Sequence, residues 1–401
     1  MKYYHYTLLF FLLGSILAGC QRDKLRDLDC DTNITENSIL QDKGKGVDYV
    51  IDCPIVIADG TLTIEADVHI QFEGANAGFI VERNGALRFN GTNKCPIILE
   101  GKEDVAGKWM GIVYKSQKEA NELNHVVLKN AGSVSYDGVH PQAAIVVIEE
   151  GKVGIQHSEI RNNQGYGVYL EATEDTQLDF FNNNTIGNNT AAPLCIPFSE
   201  ITALSINNIL NPAGQTNGKN YVEVYGQKTS SSPLNEISFG GSIAALDVPY
   251  RMFYVNQINK CFVQVLNSAT FEFAEDASLV VMGNDTSDGF TAVGNLNTQT
   301  PVTFTKAPEV NAWRGIHFQH DSPKNYLYYC KIEYGGSQKH SLSNGIGNIV
   351  VGTNLNWGGA HIESCVINHS KGWGVHHRLS SFMTGTANFY NGNTLGDIGL
   401  Y

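Results

Sequence analysis

The chain holds no stretch with the apolar spacing of a three-turn helix and no Cys-x-x-Cys pair. After its first residues it has no apolar run long enough to cross a bilayer. Without helical periodicity, bundles and layered α/β folds drop out. Ser116 to Leu123 comes nearest to a helix, but it offers few apolar residues to bury and reads as a loop. Without closely spaced cysteines, no zinc knuckle is expected. Basic residues are scarce too: 27 Lys+Arg stand against 40 Asp+Glu, a net charge of −13. Such a surface repels phosphates, so no nucleic-acid partner is expected.

In place of helices there are 41 glycines in 401 residues, with many Asn and Thr, a mixture that favours short strands and tight turns. From Val47 onward, runs such as Ile55-Val56-Ile57, Thr61-Leu62-Thr63-Ile64 and Val68-His69-Ile70-Gln71-Phe72 alternate with period two. Asp59-Gly60 and Asn84-Gly85 punctuate them.

The chain also repeats itself. Trp109-Met110-Gly111-Ile112-Val113-Tyr114 returns as Trp313-Arg314-Gly315-Ile316-His317-Phe318, an offset of 313 − 109 = 204. The same offset joins Gly132 to Gly336 and Ile145-Val146-Val147 to Ile349-Val350-Val351. It then drifts, so that Gly165-Tyr166-Gly167-Val168 matches Gly372-Trp373-Gly374-Val375. Upstream, Leu62-Thr63-Ile64 is matched with Phe271-Glu272-Phe273. Offsets that slip and resume mean fixed elements joined by loops of variable length. Two similar halves are expected, about 47–212 and 213–401, with no linker between them.

The first residues read Met1-Lys2, then an apolar run from Thr7 to Leu17, then Leu17-Ala18-Gly19-Cys20. That is the plan of a signal peptide over 1–19. Leu17 to Cys20 resembles the lipobox of bacterial lipoproteins. The resemblance implies cleavage before Cys20, acylation there (palmitate among the chains), and anchoring to the membrane of the cell envelope, the outer membrane by expectation. Residues 20–46 read as a polar tether. Of the other seven cysteines, Cys30 is a candidate to tie back to Cys53; an odd number cannot all pair within one chain.

Many short strands, no helices and irregular loops favour a solenoid over a closed barrel. Asn recurs at turns, as Asn162-Asn163, Asn182-Asn183-Asn184 and Asn188-Asn189. Stacked Asn can hydrogen-bond along a solenoid and tolerates the left-handed conformation. Thr61 to Val68, Trp109 to Ile112, Ser158-Glu159-Ile160-Arg161-Asn162-Asn163 and Gly165 to Val168 resemble the right-handed parallel β-helix proteins of bacterial envelopes, the superfamily of the pectate-lyase-like enzymes. The fold expected is all-β, a single-stranded right-handed parallel β-helix over 47–401 built from two tandem similar halves. In the register this implies, Ile316/Phe318, Ile349/Val351 and Val375/His377 stack inward on one sheet. Cys330/Ile332 and Cys365/Ile367 stack on the next, which makes Cys330 and Cys365 vertical neighbours, either a buried thiol stack or a disulfide.

Candidate chemistry gathers in the second half. His317 and His376 fall on the outward side of one sheet, two rungs apart, with His320, Asp321 and Arg378 in adjoining loops. They read as a saccharide site, or as scattered surface histidines. No ligand pair lies on a strand face, so no metal is assigned. Trp357 and Trp373 offer flat surfaces for sugar rings, and Trp357 sits in an insertion peculiar to the second half. Tyr326, Tyr328, Tyr329 and Tyr334 extend the aromatic set, whereas Trp109 and Trp313 read as packing. Glu149-Glu150 and Glu174-Asp175 are adjacent carboxylates on turns, poorly placed to flank one glycosidic bond. A lyase of the resembled superfamily would carry a calcium-binding Asp cluster beside an Arg or Lys base. That cluster cannot be assembled here, so calcium is not indicated and no cofactor is expected.

The leading expectation is a non-catalytic, lipid-anchored envelope protein that binds glycan or another surface partner on its solenoid face. A polysaccharide lyase or glycoside hydrolase acting in the second half is one alternative. A structural spacer or adhesin is the other.

Overall fold

The computed structural model describes residues 23–24, 28, 30, 33–44, 46–173, 175–228, 236–340 and 342–401. The signal peptide, Cys20 and Glu174 lie outside the described residues.

Each strand pairs in parallel with the strand one coil before and one coil after it. A coil visits three faces. Gly111–Tyr114, Glu122–Asn124 and Val126–Lys129 make one turn. Ala143–Val147, Lys152–Gln156 and Glu159–Arg161 make the next. Among the described residues the one helical segment is a 3-10 turn, Phe198–Ala203. The molecule is therefore a parallel β-helix, as the strand pattern implies.

Alternation puts every second side chain into the bore. Ile112 and Tyr114 stack under Ile145 and Val147, which stack under Val168 and Leu170. In the second half Ile316 and Phe318 meet Ile349 and Val351, which meet Val375 and His377. All except His377 are buried. Each buried aliphatic or aromatic side chain contributes about 1.5–3 kcal/mol against the entropy of ordering the coil. Cys330 and Cys365 are vertical neighbours and free, with the Cys330 N–H 3.4 Å from the Cys365 Sγ. They form a thiol stack and not a disulfide.

The turn asparagines divide two tasks between adjacent residues. Asn162, Asn183 and Asn188 take positive φ and turn the corner. Asn163, Asn184 and Asn189 are buried and bond along the stack. The Asn163 Nδ2 donates to Asn189 Oδ1 at 2.9 Å, and the Asn189 Nδ2 donates to Asn217 Oδ1 at 2.9 Å. Asn184 Oδ1 accepts from the Ser158 N–H, and Asn208 Oδ1 from the Asn184 N–H, both at 3.0 Å.

The duplication is visible in detail. Trp109 stacks on Phe72 and Trp313 on Phe273, each with ring centres 3.9 Å apart. The Trp109 Nε1 donates to the Lys129 carbonyl and the Trp313 Nε1 to the Glu333 carbonyl, both at 2.8 Å. These stacks correct the upstream alignment: Phe273 is the counterpart of Phe72, not of Ile64. Period-two runs look alike whichever face they occupy, so the wrong strand was matched.

The halves are also out of phase. The sheet that holds Gly111–Tyr114 continues through Leu194–Pro197, Val222–Tyr225, Tyr250–Phe253, Thr270–Phe273 and Val302–Lys306 to Cys330–Glu333. Cys330–Glu333 is the counterpart of Val126–Lys129, one face further round. Gly315–Phe318, the counterpart of Gly111–Tyr114, lies in a different sheet.

The tether is shorter than expected. Ser38–Leu40 pairs with Leu62 to Ile64, Ile34 bridges to Ile57, and Ile34 and Leu40 are buried. A three-residue strand in a polar stretch leaves no periodicity to read. Cys30 and Cys53 are joined, with Cα atoms 5.8 Å apart. Cys95, Cys195 and Cys261 are free, like Cys330 and Cys365.

Asn189→Ala is expected to lower unfolding stability by about 1–3 kcal/mol, because it strands two buried neighbours. Asn188→Gly, which keeps the left-handed corner, costs under about 0.5 kcal/mol. Denaturant melts of the two variants check the contrast.

Candidate functional site

One corner of the second half carries a cleft. It lies where Val255–Asn259, Ser278–Met282, Gly315–Phe318 and Gly347–Val351 end and the chain turns to the next face. The connecting loop grows from two residues after Asn259 to six after Met282 and seven after Phe318, and stays at seven after Val351. Asn259 and Lys260 make a tight bend, Met282, Gly283 and Asn284 a wider one, and Gln319, His320 and Asp321 a wider one again. Asn356 and Trp357 top the stack, and Leu342 closes one side. Together these residues line an open cleft of about 550 Å³.

Trp357 is held out by a small ring of hydrogen bonds. The Thr353 N–H donates to the Asn356 carbonyl at 2.9 Å, and the Asn356 N–H to Thr353 Oγ1 at 2.8 Å. The Gly358 N–H reaches Ser381 Oγ at 3.1 Å. The loop is fixed, yet its indole is 60% exposed, the unusual combination of a large apolar side chain held in water. Gly359 allows Asp321 its position, since a Cβ there would sit within van der Waals contact of the Asp321 carboxylate. Gly283 does the same for His320: a Cβ would lie 2.6 Å from its Nε2. Neither ring nitrogen of His320 has a hydrogen-bond partner. Burial pushes its pKa down, partly offset by Asp288, so the ring is neutral near pH 7.

The cleft thus offers a flat indole, four side-chain amides, a neutral imidazole, one ammonium and one carboxylate. Asp321 is the one carboxylate lining it. Hydrolysis of a glycosidic bond asks for two. Such a mixture of donors and acceptors beside an apolar plane suits a ligand with hydroxyl edges and C–H faces.

Of the residues singled out from sequence, His320, Asp321 and Trp357 meet here. The others do not. His317 faces outward as expected, in line with Val350 and His376. Yet His317 is fully buried and His376 nearly so. Residues 336–340 and 342–346 fold over them: the His340 ring lies 4.5 Å from that of His317, and the Ile346 N–H donates to His376 Nδ1 at 2.9 Å. The outward face is covered because the chain crosses it on its way to the next coil, which strand alternation alone does not reveal. Trp373 lies against Gly396 and Gly399 and packs the last coil. Arg378 sits by Gly352 and Tyr401, away from the cleft lining. His317, His376 and Arg378 do not line this cleft.

Tyr326 and Tyr328 stack on the neighbouring sheet, with His361 beside Tyr326. Tyr334 stacks on His369. Glu149 and Glu150 are paired with the exposed Arg83, and Glu149 also with Lys115. Among the described residues the one group of metal-ligand type is Cys30, Asp52 and Cys53, whose two sulfurs are bonded to each other.

Asn259, Lys260, Asn284, Leu342 and Asn356 were missed. The signal for most of them was available: Asn259, Lys260, Asn284 and Asn356 lie at or beyond strand ends at the same corner of stacked coils. Finding it requires the register of the coils before Gly315, which the repeat of the tryptophan motif does not reach.

Residues 32–191 match the family model described as a pectate-lyase like beta helix domain. No curated protein matches the chain, and no solved structure does. The matched residues cover the first half, and the cleft lies beyond them. The match and the parallel strands that run on to Leu400 agree on a parallel β-helix fold, with residues 32–191 similar to a pectate-lyase-like β-helix domain.

Proposed function

We propose that the protein is a lipid-anchored envelope β-helix that binds a saccharide chain at the corner cleft without cleaving it. The observation that carries this reading is Trp357, a fixed and largely exposed indole over a cleft of amides and charges. A sugar ring lays its C–H face on such a plane while its hydroxyls bond to polar neighbours. Asn259, Asn284, Gln319 and Asn356 supply both donors and acceptors. Asp321 and Lys260 suit hydroxyl edges better than a second charge. The acidic net charge argues against strongly anionic polymers. The spacer reading expects a surface without clefts, and the enzyme reading expects two carboxylates or a calcium site, so this geometry favours binding. Lipid attachment at Cys20 rests on the Leu17 to Cys20 pattern.

Affinity electrophoresis against neutral and acidic polysaccharides tests the binding. The wild-type chain is expected to be retarded by at least one neutral polymer, and Trp357→Ala to weaken that retardation roughly tenfold or more, the loss typical of a central aromatic contact. Unchanged retardation by the variant would reject the cleft. Cys20→Ala is expected to move the protein from the membrane pellet to the soluble fraction and to abolish incorporation of labelled palmitate. A variant that stays in the pellet and takes up label would reject the anchor.

A further inference from the structure

We propose that residues 336–340 and 342–346 form a flap that opens in acid, and that its opening dismantles the Trp357 cleft. The flap motion stands on its own evidence; only its consequence for ligand rests on the saccharide reading above.

In both halves the chain turns at a left-handed glycine, Gly132 or Gly336, and runs back over the outer side of a sheet. In the first half the covered face is apolar. Met110, Val113, Ala143, Val146 and Ile148 pack there, with Val134 and Tyr136 coming from the covering segment. In the second half the counterparts of Val113 and Tyr169 are His317 and His376, and the covering segment adds His340. All three imidazoles are buried. His317 bonds through Nε2 to the Gly352 carbonyl at 2.7 Å. The His376 ring packs edge-on to Tyr401, whose hydroxyl receives the Ser343 Oγ hydrogen bond at 2.6 Å.

The charged and titratable groups facing these rings are Arg314 from the strand approach, Lys339 from the flap, His377 and Arg378 beyond the sheet, and Tyr401. None of these side chains is a carboxylate. The His340 Nε2, Arg314 Nε and Arg378 Nη1 are already buried without a partner. A proton added to any of the three rings finds no counter-charge while the flap is down.

The sign follows from burial. His317 is pushed down to about 4 by desolvation, partly offset by the Gly352 carbonyl. His340 and His376 are pushed down by the same cause. The open state therefore binds more protons, and the closed state loses its advantage as pH falls below the ordinary imidazole value. One ring that moves between 6.5 and about 4 raises the opening constant roughly a hundredfold across that range.

The first-half segment responds the other way. His140 lies between Asp137 at 2.6 Å and Glu171 at 3.2 Å. Burial opposes its charge, but the two carboxylates hold its pKa above the ordinary value. Despite its own desolvation, Asp137 is held near 2 by the His140 and Val139 amides and by the imidazole. That clip is complete below pH 6.5 and weakens as pH rises through the raised histidine value.

The second flap and the cleft share atoms. Leu342 lines the cleft. Its carbonyl accepts from the Asn354 N–H at 2.9 Å, and the Asn344 N–H donates to Asn354 Oδ1 at 3.0 Å. Opening removes one wall and both of these hydrogen bonds to the loop that carries Trp357.

Hydrogen exchange of the full chain at about pH 7 and about pH 4.5, corrected for intrinsic rates, tests this. Protection over 342–346 is expected to fall at least tenfold in acid, while 132–142 keeps or gains protection. His340→Leu and, separately, His317→Val are each expected to reduce the fall, and the double variant to remove most of it. Protection that does not change, an equal fall in both segments, or a fall as large in His340→Leu as in the wild type would overturn the flap. If His317→Val does not fold, the wild-type contrast and His340→Leu decide. Polysaccharide retardation is expected to weaken in acid for the wild type and to weaken less for His340→Leu. Absence of retardation at either pH removes the saccharide reading and leaves the exchange result to decide the flap.

Discussion

A strand in this protein cannot satisfy its own backbone. Each N–H and C=O points along the solenoid axis and is answered by a strand one coil away, so the coils must stay in register or leave buried polar groups without partners. That demand explains the narrow corners. His125, Tyr254 and Tyr329 take φ of 52, 61 and 52° as the one residue between two strands. None is glycine or asparagine, and each bears the cost of a left-handed conformation. The corner admits one residue, and the chain above and below fixes where it falls. At the corners after Arg161 and Gly187, Asn162 and Asn188 take that conformation, and beside them runs the ladder of Asn163, Asn189 and Asn217.

The same demand shapes the duplication. Trp109 and Trp313 each clamp a coil by stacking on a phenylalanine and donating to a carbonyl on an adjoining face. The two units meet one face out of step, and the parallel pairing runs through the joint unbroken, because any face of a parallel coil presents the same row of donors and acceptors. A half can be rotated by one face without loss of backbone bonds. What rotation changes is which direction the decorated side looks. The covered apolar cluster of the first half and the covered imidazoles of the second therefore lie on different sheets.

Much of this was legible beforehand. Period two and the Trp motif pointed to stacked parallel strands, and the inward rows Ile316/Phe318 to Val375/His377 hold in the structure. The side-by-side thiols of Cys330 and Cys365 follow from the same register. What escaped was whatever periodicity does not encode. Ser38–Leu40 is too short to show a period. The match of Phe273 with Ile64 failed because alternating runs on different faces look alike. The histidines were placed on the correct side of their sheet and then assumed to be wet, although residues 336–346 hold enough chain to cross it. The cleft was half legible: His320, Asp321 and Trp357 were named, but the residues that share their corner lie in coils that the repeat does not reach.

The position of the cleft follows from where this fold can afford variation. A residue inserted inside a strand slips every inward side chain outward. An insertion at a corner disturbs nothing in the bore. Corners therefore collect loops of unequal length, and a short loop beside longer ones makes a step with a concave side. Lys260, Asn284, Asp321 and Trp357 occupy such a step, and its top loop is rigid because Thr353, Asn356 and Ser381 bond it internally. The fold-defining pattern matched over residues 32–191 concerns coils and says nothing of corners. A binding site on a β-helix of this kind is to be sought in the loop lengths at one corner, read down the stack, and not in the strands that hold the stack together.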